Sequence, residues 1–215
     1  AFQNGLEKQN AQLQSINLLT QESVPEDAQG VLIMAPVTDI SADDADKLIA
    51  YLDKGGKILM TTAYMEDFAE EMPNLQKVLD YFGLAIEKGL VMEGDSSMYY
   101  QQPAYLLPDV AYDTLTKGIS GEKYIFMPYA QGIRSEEKED VTLTPLLTSS
   151  EASYSKLNMN QAQNYEKEDG DAEGPFDVGI HAEKKLEEGT AGLTLFTSEN
   201  LFTDNANSMV ADANL

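Results

Sequence analysis

The chain has no cysteine, no tryptophan and one histidine. Without Cys there is no disulfide, no thiolate nucleophile and no Cys-ligated metal centre; the compartment stays open, an oxidising one being permitted. Any Ser-His or His-ligated metal chemistry would rest on His181 alone. That residue ends the alternating run Asp177-Val178-Gly179-Ile180-His181, where an exposed or singly hydrogen-bonded imidazole is expected. Positive charge is also scarce: 14 Lys+Arg face 37 Asp+Glu, a net charge of −23. With no cluster of Lys and Arg to displace counterions, nucleic acid is not expected as a partner, and docking on anionic lipid is disfavoured. The acidity reads as solubility and self-repulsion. Long apolar runs are missing too. The longest, Val31 to Val37 (VLIMAPV), is far short of the roughly 20 residues that cross a bilayer. No signal peptide opens the chain, which starts at Ala1-Phe2-Gln3; an excised fragment of a longer protein is expected.

What is present suffices for one folded core. A hydrophobic fraction of 42% and a charged fraction of 24% over 215 residues are ordinary for a globular chain. The expectation is a single α/β domain over 1–215, with irregular insertions at about 94–121 and 151–174. Val31-Leu32-Ile33-Met34, stopped by Pro36, suits a strand buried on both faces of a parallel sheet. Ser41 is the expected N-cap of a helix with Asp43, Asp44 and Asp46 in its first turns and Ala45, Leu48, Ile49 and Leu52 on one face. Gly55-Gly56 stops it, and Lys57 to Met60 starts the next strand, completing a β-α-β unit. Leu75, Val78, Leu79 and Phe82 repeat the helical spacing behind Pro73. Leu6–Leu13 reads as a helix. Ser15–Leu19, Leu84–Met92, Tyr124–Met127, Thr142–Thr148, Phe176–Ala182 and Ala191–Thr197 read as strands, and a short polar helix or coil closes the chain.

The motifs carry little chemistry. Lys54-Gly55-Gly56-Lys57 is not a phosphate loop, because that pattern needs Gly at 51 and Ser or Thr at 58, where Tyr51 and Ile58 stand. Neither a G-x-G-x-x-G fingerprint nor a G-x-S-x-G elbow is present. Asp169, Asp171 and Glu173, with Gly174 following, imitate the start of a Ca²⁺ loop, but Ile180 occupies the position of its closing Glu; a fortuitous acidic turn is the stronger reading. In an open parallel sheet a ligand binds beyond the strand carboxyl ends. Those ends carry Ala35 and Pro36, then Thr61, Thr62 and Tyr64, then Ser198, Glu199 and Asn200, groups that hydrogen-bond without composing an acid, base and nucleophile. Tyr99, Tyr100 and Tyr105 provide either a recognition surface or a cover for the sheet edge. No cofactor is expected.

The ordered combination Val24-Pro25-Glu26-Asp27, Val31-Leu32-Ile33-Met34-Ala35-Pro36-Val37-Thr38-Asp39-Ile40-Ser41 and Tyr51-Leu52-Asp53-Lys54-Gly55-Gly56-Lys57 resembles the auxiliary component of gliding-motility-type ABC transport systems. The likeness continues through Leu79-Asp80-Tyr81-Phe82-Gly83, Pro145-Leu146-Leu147-Thr148-Ser149-Ser150, Gly174-Pro175-Phe176 and Leu195-Phe196-Thr197-Ser198-Glu199-Asn200. It implies a flavodoxin-like or glutamine-amidotransferase-like fold: an open, mostly parallel sheet with helices on both faces and a β-rich C-terminal insertion. It further implies an extracytoplasmic domain at the cell membrane, anchored by helices outside this fragment and working beside an ABC permease and ATPase. The thiol chemistry of amidotransferases is not implied, since it needs a Cys. A non-catalytic binding or scaffolding role is therefore the first expectation. A carboxylate-based glycan hydrolase and a Ca²⁺-dependent sugar-binding or adhesion module are the alternatives.

Overall fold

The computed structural model describes residues 2–117, 124–159, 165–204 and 208. A short helix, α1 (Phe2–Lys8), comes first, followed by one 3₁₀ turn at Leu18–Thr20. The helix is earlier and shorter than the expected Leu6–Leu13, and no strand forms over Ser15–Leu19. The Asn17 side chain there accepts from the Leu19 N–H at 3.1 Å, turning the backbone away from an extended course.

The β-α-β unit then follows the sequence closely. β1 (Val31–Met34) pairs in parallel with β2 (Lys57–Thr61) across α2 (Ala42–Leu52). Ser41 Oγ caps α2 by accepting from the Asp44 N–H at 3.1 Å, and Ala45, Leu48 and Leu52 are buried. The double glycine ends the helix for two separate reasons. Gly55 sits at φ +87°, a conformation that costs any other residue strain, and a Cβ on Gly56 would lie 2.3 Å from the Tyr51 ring.

Next come α3 (Phe68–Glu71) and α4 (Pro73–Asp80), whose Leu75, Val78 and Leu79 are fully buried together with Phe82 just beyond. Met72 gives α4 no side-chain cap; Asp39 supplies one from the loop after β1. Its Oδ2 accepts from Asn74 N at 2.9 Å and Asn74 Nδ2 at 2.8 Å, and its Oδ1 from Leu75 N at 3.1 Å. One carboxylate at the first strand's exit thus caps a helix that lies beyond the β-α-β unit.

The run expected as one strand over Leu84–Met92 is two, β3 (Leu84–Ile86) and β4 (Leu90–Met92), divided by a turn with Gly89 at φ +89°. Short strands β5 (Tyr105–Leu106), β6 (Asp109–Val110), β7 (Met127–Pro128) and β8 (Ile133–Ser135) follow. The chain continues with β9 (Val141–Thr148), β10 (Tyr154–Lys156), β11 (Ala172–Glu173), β12 (Asp177–Lys185) and β13 (Thr190–Phe196). The large sheet runs β1-β2-β13-β12-β8-β3, with β9 also on β12 and β6 on β9; β11-β10-β4 and β5-β7 form smaller sheets.

This sheet corrects two expectations. It is mixed rather than mostly parallel: β1-β2 and β2-β13 are parallel, and every other pairing in it is antiparallel. The reason is connection length. β12 turns into β13 through a tight turn in which Leu186 N–H donates to Gly189 O, and a connection that short joins strands only antiparallel. Nor is β1 buried on both faces. It is an edge strand whose Val31 and Ile33 pack into the helical core while Leu32 and Met34 are 39% and 42% exposed. The helices that build the core, α2 and α4, lie together on that inner face, not on both. The opposite face is covered toward the strand carboxyl ends by Met127, Phe176, Leu201 and the half-buried Phe202, which stacks on Phe2 of α1 at 4.2 Å.

Both expected insertions hold ordered structure, β5 and β6 in the first and β10 and β11 in the second; their residues 118–121 and 160–164 lie outside the described residues, as does most of the C-terminal helix or coil. No described helix is long and apolar enough to cross a membrane.

Candidate functional site

The parallel strands β1, β2 and β13 finish side by side, and hydrogen bonds carry the line of their ends onward into the tyrosine-rich segment. Ala35 N–H, next to Pro36, donates to Thr61 O at 2.9 Å and to Thr61 Oγ1 at 3.0 Å. Thr62 N–H donates to Phe196 O at 3.1 Å, Ser198 Oγ to Pro128 O at 2.7 Å, and Tyr129 N–H to Ala104 O at 2.9 Å. Tyr100 N–H then reaches Tyr105 O at 2.8 Å, and Tyr99 bridges Leu106. The sequence-selected Pro36, Thr61, Thr62, Ser198, Tyr99 and Tyr100 therefore lie along one polar shelf.

Gln101, next to Tyr100, has φ 63°, and two further positions along the shelf carry backbone strain. Ala35 has φ 41° and Tyr129 has φ 58°, left-handed values that non-glycine residues avoid. Each is held by a neighbouring strand end, which is the condition under which such a conformation persists. Tyr129 stays 40% exposed, edge-on to Tyr105 at 5.4 Å with the two hydroxyls 3.3 Å apart. The hydrogen bond with Tyr129, reinforced by burial, pushes the Tyr105 hydroxyl above the ordinary tyrosine range. Thr62 is 1% exposed, and its Oγ1 has no hydrogen-bond partner among the described residues.

Tyr100 and Tyr105 stand edge-on to the buried Phe126 at 6.3 and 5.6 Å. Tyr129 and Tyr165, the latter donating to Gln102 Oε1 at 2.8 Å, remain exposed. Tyr64 packs on a separate cluster with Leu90, Met92 and Tyr154; burial raises its hydroxyl pKa, with Glu66 and Glu71 adding to the shift. Glu199 is exposed and Asn200 half-buried at the rim.

Gln131 organises this end and has no signature in the sequence, because its partners lie 44 to 66 positions away. It is 1% exposed; Oε1 accepts from Met65 N–H, Nε2 donates to Met65 O and Glu87 O, all at 2.9 Å, and its carbonyl accepts from Thr197 Oγ1 at 2.6 Å. Tyr129 was equally hidden, since left-handed strain is invisible without coordinates.

The acidic turn resembling a Ca²⁺ loop is used otherwise. Asp171 is buried and its oxygens accept from Leu157 N–H at 3.0 Å and Glu168 N–H at 2.9 Å, facing Lys156 Nζ at 3.9 Å. Glu173 pairs with Lys167, and Asp169 is exposed. Among the described residues no group of three His, Asp or Glu side chains is placed to hold a metal. Burial pushes the Asp177 carboxyl upward and the Thr148 hydroxyl, donating at 3.0 Å, pulls it back; no second carboxylate contributes to the shift. Glu93, 2% exposed and the most buried carboxylate among the described residues, is tied off by Ser150 and the Asp95 N–H. His181 sits half-buried on the outer sheet face with Nδ1 2.9 Å from Thr194 Oγ1; burial lowers its pKa against the opposing pull of Glu183 and Asp113, and Lys57 lowers it further.

Sheet, helices and shelf together define a mixed α/β domain that gathers polar and strained groups at its strand carboxyl ends. The family profile described as "ABC-type uncharacterized transport system" matches residues 1–192, and the chain belongs to this family of ABC transport auxiliary components. Comparison with curated proteins gives no match. A solved structure titled "mmIFT52 N-terminal domain" is similar in fold at TM-score 0.70 and 15% identity, covering 99% of this chain and 84% of that one.

Proposed function

We propose that this chain is a non-catalytic, extracytoplasmic binding domain of its ABC transport system, anchored at the cell membrane by helices outside it and working beside the permease and ATPase. The parallel β1-β2-β13 unit with α2 and α4 is read as the flavodoxin-like element of the fold, and the shelf at its carboxyl ends as the partner-contacting surface. The observation that carries this reading is the pair of strained residues, Ala35 and Tyr129, fixed just past the ends of β1 and β7 with the Tyr129 ring 40% exposed. The left-handed backbone costs stability while the ring, edge-on to Tyr105, still stands exposed, which a binding role accounts for. The family supports the transport context.

The test uses the full-length protein purified from membranes. The permease should co-purify, and Tyr129→Asn, which tolerates the left-handed backbone while removing the ring, should reduce its recovery several-fold without loss of thermal stability. Recovery of a solitary soluble protein, or undiminished capture by the variant, would sink the proposal.

A further inference from the structure

Where the shelf reaches the tyrosine-rich segment, four neutral side chains from three separate stretches of chain are joined in series. The Tyr165 hydroxyl donates to Gln102 Oε1 at 2.8 Å across 63 positions of sequence. The Gln102 amide acts in turn on the Tyr105 hydroxyl, pulling its pKa down as a donor to the phenol oxygen does. Tyr129, its hydroxyl 3.3 Å away, pushes the same pKa up, as an acceptor from Tyr105 does. These opposite effects fix the direction of the series: Tyr165 to Gln102, Gln102 to Tyr105, Tyr105 to Tyr129. The Tyr129 hydroxyl therefore accepts at its end and keeps its own hydrogen to donate, with no other partner among the described residues. Each link polarises the next, which makes that terminal hydroxyl a better donor.

The rings give the donor apolar walls. Tyr105 stands nearly perpendicular to Tyr129 (86°) and to the buried Phe126 (89°), and the Tyr129 and Tyr165 rings are open to solvent. No member of the series is ionised, in a chain with 37 acidic and 14 basic side chains. A cation calls for an acceptor at this point and an anion for a lysine; the series ends in neither. Its complement is an uncharged apolar group that accepts without donating. Among peptide segments that is proline, whose ring is apolar and whose amide has a carbonyl and no N–H. In the polyproline II conformation those carbonyls also have no internal partner, and aromatic-lined grooves recur as their docking sites.

We infer that the Tyr105, Tyr129 and Tyr165 cluster binds a proline-rich segment of a partner protein, one proline ring against Tyr129 and Tyr105 and its carbonyl accepting from the Tyr129 hydroxyl. The inference rests on the shelf being the partner-contacting surface, and it names the chemistry of what is contacted there.

Amide NMR titration of the chain with acetylated, amidated octaproline tests it, beside a glycine-serine octapeptide, cellohexaose and tetramethylammonium. Octaproline should shift the Gln102, Tyr129 and Ala130 amides saturably with a Kd of about 0.1–1 mM, and the other three probes should leave them unmoved. Tyr129→Phe, which keeps ring and backbone and removes only the free hydroxyl, should weaken octaproline about fivefold, and Tyr129→Asn should abolish binding. Failure of octaproline to saturate by about 5 mM, equal binding of the glycine-serine peptide, or unchanged affinity in Tyr129→Phe overturns the inference. Saturable binding of cellohexaose makes the cluster a sugar platform, and of tetramethylammonium a cation cage; either overturns it too. The shelf reading fails separately: octaproline binding together with undiminished permease capture by Tyr129→Asn leaves the peptide site standing and removes the permease as its partner.

Discussion

At the scale of single residues, Gln131 carries the largest structural debt. Replacing it by Leu preserves approximate volume but strands the Met65 N–H, Met65 O and Glu87 O inside the protein. Since an unsatisfied buried group costs about 1–3 kcal/mol, a loss near 3 kcal/mol is expected, roughly 6–12 °C in Tm for a domain of this size. Calorimetry of Gln131→Leu against wild type checks it; a change below about 1 kcal/mol means the clamp is replaceable. His181 yields a pH prediction. Its folded pKa is depressed, chiefly by burial, so the unfolded chain takes a proton near pH 6.5 that the folded chain resists. The stabilisation is present above the unfolded value and is lost as pH falls through the window below it. Urea melts between pH 7.5 and 5.5 should show wild type losing stability that His181→Asn, still able to bond Thr194, does not lose. Asp177 has the opposite sign: its folded pKa is raised by burial, and the contribution favouring folding is full only below the ordinary aspartate value. His181 was legible as a singly bonded strand histidine, whereas Gln131 depends wholly on partners far along the chain.

Elements built from local rules were the legible part. Ser41, the first-turn aspartates, the 3–4 spacing of Ala45, Leu48 and Leu52, and Gly55-Gly56 define α2 within a short window, and the structure reproduces each. Strand direction was not legible, because VLIM and AGLTLF read alike whether the neighbour runs parallel or antiparallel; the short β12-β13 turn decided it. The site shows the same division. The strand-end residues Pro36, Thr61, Thr62 and Ser198 followed from topology, but their linkage to the tyrosine segment required β7, which the sequence read as a longer strand placed earlier. Asp39 lies between these cases: its place in the Pro36-Val37-Thr38-Asp39 motif was visible, its role was not. As the cap of α4 it satisfies two backbone N–H groups and one amide. Asp39→Ala should cost about 1–3 kcal/mol, and Asp39→Asn, which retains one acceptor, appreciably less. Equal losses in the two variants, measured by chemical denaturation, would show that the cap is not what the carboxylate contributes.

For the whole molecule, the balance of charge decides how stability responds to salt. Ion pairs such as Lys77–Asp46, with side chains 51% and 65% exposed, are surface contacts of the kind that contribute little, and salt weakens them. Against them stands the repulsion among the carboxylates behind a net charge of −23, which compaction brings closer than they lie in the unfolded chain. The buried pair of Lys156 with Asp171 is shielded from solvent and changes little with ionic strength. Raising NaCl shortens the screening length from about 30 Å at 10 mM to about 8 Å at 150 mM, which relieves repulsion across the molecule while leaving buried contacts intact. The Tm should therefore rise with added NaCl, and the surface cations, outnumbered by 37 to 14, should not reverse the trend. Replacing exposed acidic residues away from any pairing, such as Glu187 and Glu188 on the β12-β13 turn, by Gln should flatten the dependence and raise the low-salt Tm. A Tm that falls as salt is added would mean that the paired lysines, few as they are, hold the fold together more than its excess of negative charge strains it.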